Sequence, residues 1–502
     1  MSQELFLFVR PPRPLWPFNG PSTAFWPPLA FASLAAALRD QVPGLRVAIL
    51  DAPVSAMGWT SLTTLLRRLQ PDFVGIGEEA VSCAETLRLA RLAKECGARV
   101  VAGGCFFGNV AAEALSTRLV DVVVHGEGEQ TIVELMSVLR EGKADELRNV
   151  AGISFLDGEE VVFTGWRKLL ADLDRLPFPA YDLLPIERYG HSSRNHPALA
   201  AIELGRGCSH GCQFCVLWRQ MGRFPTDHPV PCLRVKSKER LLEEVRQLMD
   251  RYHRRYLGWV DPCFNADPNV ASELAELLLR DRRSIGQSAW VRADYLLRDQ
   301  ASGALQVCCD AGLNELYLGI ERVAKEDLAR LGKGDLAGEP ARALQMLDEK
   351  HPNVFTVGTF IYGLEGDTPQ SVRSLFRHAH QLPLDEVFFI PLTPLPGTPY
   401  WRSNMWDPTG QRFRTFDFLP RPNGDAVQAR LTSAVAWSYL ACWPWPRARR
   451  MLKGIFARNS RRRRITRHIV QRTVPLMLSG VFGSRQRPES AGGMYYPQWY
   501  ES

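Results

Sequence analysis

Gly207-Cys208-Ser209-His210-Gly211-Cys212-Gln213-Phe214-Cys215 sets three cysteines at spacings of four and three residues, with no fourth close behind. Thiolates are soft ligands suited to iron–sulfur clusters, and three of them leave one iron of a four-iron cube without a protein ligand. That open corner is free to take a substrate or cofactor. The competing reading is structural zinc, but closed zinc sites use four ligands, usually in paired short runs. The spare candidates are His210, inside the run, and Cys232, seventeen residues on. The open cluster is therefore preferred.

Working outward, both flanks alternate strand and helix patterns. Upstream, apolar strands at 5–9, 47–50, 73–76, 99–102 and 120–124 are interleaved with helical patterns near 30–39, 62–69, 83–95 and 131–140. This alternation predicts an α/β, Rossmann-like, doubly wound domain over 1–148, with ligands at the carboxyl ends of parallel strands. Glycines fall at those ends: Gly75 and Gly77, Gly103 and Gly104, then Gly126-Glu127-Gly128-Glu129. Glycine there admits a ligand close to the backbone, or merely turns the chain. A β-hairpin around Asp157-Gly158 and a proline-punctuated apolar stretch then read as a docked linker over 149–195, with Tyr181 as an interface anchor. Downstream, strands at 200–204, 256–260, 287–292, 315–320, 354–361 and 386–391 alternate with helices. Six βα steps predict an open six-stranded barrel over 196–400, its chemistry at the strands' carboxyl ends.

The run Cys208-x-x-x-Cys212-x-Phe214-Cys215 resembles the signature of the radical S-adenosylmethionine enzymes, and the six βα steps resemble their partial (β/α)6 barrel. The resemblance implies a 4Fe–4S cluster on Cys208, Cys212 and Cys215. It implies S-adenosylmethionine on the open iron, with Phe214 beside it, and an external one-electron reductant of flavodoxin or ferredoxin type. It assigns Asp261 and Arg292, after the second and third strands, to the cofactor's ammonium and carboxylate as charge-assisted pairs. Glu321 matches a glutamate near the ribose and amino group, and Thr393 falls where the chain approaches the adenine. The turn 363–368 is also similar to a family turn, except that Glu365 stands where proline is usual.

The order Pro11-Pro12, Asp51-Ala52-Pro53, Gly103-Gly104 and Gly126-Glu127-Gly128-Glu129 resembles the cobalamin-binding domain of cobalamin-dependent radical enzymes. On that resemblance Pro12, Asp51, Gly75, Glu78, Gly103, Gly104, Gly126 and Glu127 are the cobalamin-binding candidates. The stretch 51–58 has no histidine where a cobalt ligand would stand, so a lower face without histidine is implied, with Arg67, Arg68 or Glu78 near it. For Arg67 and Arg68 the preferred reading is that of solvated helix charges.

Composition narrows this little. At 502 residues and 45% hydrophobic content the chain is ordinary for a globular protein of several domains. Residues 1–10 carry no basic stretch leading into an apolar one, and the eleven cysteines are unevenly spaced, so a reducing cytoplasm is expected. Cys232, Cys263, Cys308 and Cys309 read as small buried hydrophobes. No run reaches the length of a membrane-spanning helix. The region 401–502 reads as helical and basic. Eleven Arg and Lys and no acidic residue lie in 447–472, which leaves the rest of a chain of net charge +7 at −4. Aromatic and aliphatic residues interleaved through 443–478 favour peripheral contact with an anionic membrane surface over nucleic acid, a partner protein being the other candidate.

Together these readings predict a cobalamin-dependent C-methyltransferase. It would move a methyl group from S-adenosylmethionine, via methylcobalamin, to an unactivated carbon of a small-molecule, natural-product or lipid substrate. The alternatives are a cyclase or ring-rearranging enzyme of the same architecture, and an iron–sulfur, nucleic-acid- or membrane-associated binding protein without catalysis.

Overall fold

The structure, a computed structural model, describes residues 3–12, 26–77, 82–190, 198–224, 228–412, 445–456, 463 and 466. Glu78 and most of the basic tail lie outside these. Strands β1 (Leu5–Arg10), β2 (Arg46–Asp51), β3 (Phe73–Ile76), β4 (Arg99–Ala102) and β5 (Val122–Val124) form a parallel sheet. The antiparallel hairpin β6 (Ile153–Asp157) and β7 (Glu160–Phe163) extends it, in the order β2-β1-β3-β4-β5-β6-β7. Continuous apolar runs such as Leu5 to Val9 suit strands buried on both faces, and the helices between them supply those faces. Phe6, Phe8, Phe31 and Phe73 stack into one core, each burial stabilising the fold by about 1.5–3 kcal/mol. Gly158, at φ +62°, takes the first central position of the hairpin's two-residue turn.

The linker docks on both bodies. Ala180 N donates to Ala32 O at 2.9 Å, and the buried Tyr181 hydroxyl lies 2.9 Å from Ala201 O and 3.1 Å from Glu244 Oε1, donating between them. Ala180 and Tyr181 together thus span the joint.

Beyond it, β8 (Leu199–Ile202) leads into a two-stranded ribbon, β9 (Gly205–Cys208) with β10 (Cys232–Val235), which the sequence reading did not contain. Then come β11 (Tyr256–Trp259), β12 (Gly286–Val291), β13 (Leu313–Glu321), β14 (Phe355–Tyr362) and β15 (Glu386–Pro391). With β8 they form a six-stranded parallel sheet, ordered β15-β14-β13-β12-β11-β8. Its helix-covered face carries Leu257, Trp259, Val291, Leu316, Leu318 and Phe360. The helix after β14, Pro369–Gln381, starts on a capping box in which Thr368 and Ser371 bond each other's backbone amides at 3.1 and 3.0 Å.

The helix Trp445–Ile455 is pinned to the barrel by Arg450, which reaches Asp385 at 2.9 Å and Asp348 at 2.6 Å. Among the described residues, no helix is long and apolar enough to cross a membrane.

Candidate active site between two parallel sheets

The β9–β10 ribbon positions the cysteine loop. Cys208 pairs directly with Cys232, and Gly207 adopts φ +93°; a Cβ there would overlap the Cys232 carbonyl oxygen. Only glycine fits this position. The loop is closed by Cys215 N to Cys212 O at 3.2 Å, Trp218 Nε1 to Cys212 O at 2.9 Å, and Gln213 N to Leu331 O at 2.8 Å. Burial pushes the three thiols up. Opposing it are backbone amides, of His210 on Cys208 and of Trp218 and Leu217 on Cys215, and the charges of Lys333 and Arg292 on Cys212. Amides and cations directed at sulfur are what a cluster of anionic ligands requires. The three thiols and their surroundings therefore fit a cluster held at three corners.

Arg292 and Glu321 do come to this corner. Arg292 is buried, braced by Asp294 at 3.1 and 3.2 Å, and lies within electrostatic reach of Cys208 and Cys212. Glu321 follows a register irregularity in β13 and holds φ +66°, a left-handed conformation that costs a non-glycine residue energy. Burial raises its carboxyl, against the pull of Lys333 at 3.2 Å. Lys333 was not among the expected residues. Its ammonium is buried and lies 6.0 Å from the centre of the Phe214 ring. A lysine between Gly332 and Gly334 was the available signal. Phe214 itself packs with Leu331, Ile361, Leu364, Leu392 and Tyr400. Thr393, just past β15, is half-buried and its hydroxyl donates to Pro391 O at 3.0 Å. In the turn 363–368, Asp367 accepts from the amides of Gly363 and Leu364 at 2.7 and 3.0 Å, and Glu365 is exposed.

Asp261 is placed differently from its expected position on the cofactor ammonium. Its two oxygens accept the amides of Leu204 at 2.9 Å and Gly205 at 2.7 Å, closing the turn between β8 and β9. Burial pushes its carboxyl up to about 7. The reason is local: chain leaving a parallel sheet strands two amides, and the nearest acceptor takes both.

The first sheet presents its carboxyl edge to this loop. Gly103 and Gly104 sit past β4, with open space where a Gly104 side chain would be, and Gly126 O accepts from Gln220 Nε2 at 3.0 Å, just beyond the cysteine loop. A Cβ on Gly397, past β15, would collide with the Asn109 amide. A small cleft opens here, lined by His125, Gly126, Glu127, Trp166, Arg206 and Gln220 among others. His125 was not foreseen. It is buried, its Nε2 is 2.8 Å from Ser154 Oγ, and burial lowers its pKa to about 4.

Several cobalamin candidates prove to be structural. Gly75 makes room for the rings of Phe6 and Phe8 inside the sheet. Asp51 is wholly buried and accepts from Tyr189 at 2.7 Å and Arg10 at 3.3 Å, tying β2 to the linker. Glu127 is bound by Arg234, and Arg206 bonds Glu129 at 2.7 and 3.1 Å and Glu203 at 3.1 Å. Arg206 and Arg234 belong to the ribbon, so this buried network locks the glycine-rich edge onto the cysteine loop. Pro12 is buried at the end of β1. Arg67 and Arg68 lie exposed in the last turn of the helix Trp59–Leu69, at the end away from the carboxyl edge, where the β-α crossover returns the chain. Cys263 and Cys308 are buried, as small hydrophobes would be, while Cys232 and Cys309 are half-buried.

A three-cysteine loop on a partial parallel barrel, faced by the glycine edge of a doubly wound domain, defines an enzyme that couples cobalamin to a radical cluster. Residues 18–136 match the B12 binding domain and residues 202–379 the Radical SAM superfamily, and the chain belongs to the cobalamin-dependent radical S-adenosylmethionine enzymes. Its cofactors are a 4Fe–4S cluster, S-adenosylmethionine and cobalamin. An uncharacterized methyltransferase of Pyrococcus horikoshii is 27% identical over 75% of this chain and 78% of its own. The anaerobic magnesium-protoporphyrin IX monomethyl ester cyclase of Cereibacter sphaeroides is 27% identical over 75% of this chain and 60% of its own. The solved radical S-adenosylmethionine methyltransferase TsrM of Kitasatospora setae, with cobalamin and a 4Fe–4S cluster bound, shares the fold. Its TM-score is 0.61 at 17% identity, covering 80% of this chain and 77% of that one.

Proposed function

We propose that the protein is a C-methyltransferase that acts on an unactivated carbon of a small molecule. The observation that supports this most is the facing of the two carboxyl edges, Gly126 bonded to Gln220 beside the cysteine loop, with Arg206 and Arg234 fastening the joint. When bound, the cluster and S-adenosylmethionine supply a hydrogen-abstracting radical, and cobalamin carries the methyl group. The chain's own part is placement. Cys208, Cys212 and Cys215 would hold the cluster. Arg292 and Lys333 would receive the cofactor's carboxylate, and Glu321 its ammonium or ribose. Phe214 would cover the cluster, and Thr393 would border the adenine. Gly103, Gly104 and Gly126 would let the corrin approach the backbone. The methyltransferase name of the Pyrococcus relative supports the reading.

Anaerobic reconstitution with iron, sulfide and hydroxocobalamin, then reductant and S-adenosylmethionine, tests it. Formation of both 5′-deoxyadenosine and S-adenosylhomocysteine is expected. 5′-Deoxyadenosine alone would overturn methyl transfer in favour of the cyclase reading that the Cereibacter relative suggests, and absence of both products would overturn the enzyme. Cys212→Ala is expected to remove the cluster's absorption near ~400 nm, where thiolate-to-iron charge transfer lies, while cobalamin stays bound.

A further inference from the structure

The helix-free face of the second sheet carries an apolar lining beside the charged residues at its carboxyl edge. Alternate side chains of a strand share a face, and the registers of β11 to β15 put Trp290, Tyr317 and Phe388 on this one, with Val260 just past β11 and Ile390 at the end of β15. Val260, beside β11, is 39% and Trp290, on β12, 38% exposed although both strands are internal to the sheet, and Ile390, on the edge strand β15, is 38% exposed. The rings of Trp290 and Tyr317 lie 4.9 Å apart at 30°, forming one aromatic shelf. From the first domain Trp26, 36% exposed, leans over β11, where only the missing side chain of Gly258 leaves room for its ring. Arg10 holds Trp26 there through its carbonyl at 3.0 Å.

The charged residues of this floor are engaged, and Glu386, half-buried two residues before Phe388 on the same face, is likewise not free. Glu315 is buried and accepts from Tyr256 at 3.0 Å and Tyr317 at 2.6 Å. Arg292 and Glu321, toward the cluster, are braced by Asp294 and Lys333. Phe355, Val357 and Ile361 of β14 on the same face are buried, so the open part is the stretch from Val260 to Tyr317, and open apolar side chains beside an aromatic shelf suit a ligand. From β11 to β13, where Val260, Trp290 and Tyr317 stand, is two strand spacings, about 10 Å of arc, the span of fused rings.

We propose that this lumen takes the substrate as a flat, uncharged, multi-ring apolar body, stacked on Trp290 and Tyr317 and walled on the β11 side by Trp26. The assignment rests on the reading of the site as one for a small-molecule substrate.

Equilibrium dialysis of the reconstituted full chain tests it with two probes: pyrene, a flat uncharged polycycle, and pyrenetetrasulfonate, the same rings bearing negative charge. Saturable pyrene binding is expected, with none for the sulfonate. Trp290→Ala is expected to weaken pyrene about ten-fold, and Trp290→Phe to restore most of it. Val260→Asp, on an already open side chain outside the packed core, keeps the test valid where Trp290→Ala disturbs folding, and is expected to weaken pyrene at least as much. Equal binding of the two probes, or pyrene binding indifferent to both Trp290→Ala and Val260→Asp, would overturn the proposal. S-Adenosylmethionine cleavage is read separately: cleavage without pyrene binding defeats the lumen assignment alone, and pyrene binding without cleavage defeats the proposed reaction alone.

Discussion

Lys333 and Asp261 show how little a residue's type says about its task. Lys333 is a loop lysine between glycines, yet it is buried against Glu321 beside the cysteine loop. Lys333→Met is expected to weaken S-adenosylmethionine binding to the cluster-loaded protein about ten-fold, the worth of one charge-assisted contact. Lys333→Arg should recover part of this. Unchanged binding in equilibrium dialysis would show that the lysine only braces Glu321. Asp261 was legible as a polar residue at a strand end, but not its direction, because the amides it serves lie 56 and 57 residues earlier. Its carboxyl is raised from 3.8 to about 7, so the fold favours the neutral form. That contribution is full below the unfolded value and is lost as pH rises through about 7. Melting temperature should therefore fall over that window in the native protein. Asp261→Asn should be flatter with pH, and less stable at the acid end because one amide loses its acceptor, at a cost of about 1–3 kcal/mol.

At the scale of elements, the β9–β10 ribbon joins the domains. It was not legible because Gly205-Arg206-Gly207-Cys208 has no alternating apolar pattern and its partner strand begins 24 residues after Cys208. Arg206 is nearly wholly buried among Glu127, Glu129 and Glu203. Arg206→Met would leave those carboxylates undercompensated, and a loss of about 3–5 kcal/mol in denaturant unfolding is expected. Adding Glu129→Gln to that variant should recover part of the loss, since the two act in one network. Gly207→Ala is expected to abolish cluster loading, read as lost visible absorption, because its Cβ would overlap the Cys232 carbonyl.

For the whole molecule, the two chemical edges meet because the linker and the ribbon each clamp both domains. The helix Trp445–Ile455 adds to the barrel's outer side, where Arg450 pins it to Asp348 and Asp385 while Leu452 on it and Phe456 just past it remain exposed. An exposed apolar pair within a basic stretch predicts adsorption to anionic vesicles. Cosedimentation should fall as salt rises, since screening weakens the attraction, and Phe456→Asp should reduce it further. Salt-independent or absent cosedimentation would leave the basic stretch without a membrane role.

The sequence alone determined the cluster spacing, the two βα alternations and the glycines at strand ends, because each is written in neighbouring residues or in a short period. Tertiary structure alone decided that Asp261 serves a turn, that Gly75 admits two phenylalanines, that Asp51 and Glu127 are spent on internal partners, and that Lys333 joins the cluster corner. Those outcomes depend on partners such as Arg206 with Glu129, 77 positions apart, and Arg234 with Glu127, 107 apart. No local pattern encodes them: a buried charge takes whichever partner the packed chain brings within reach.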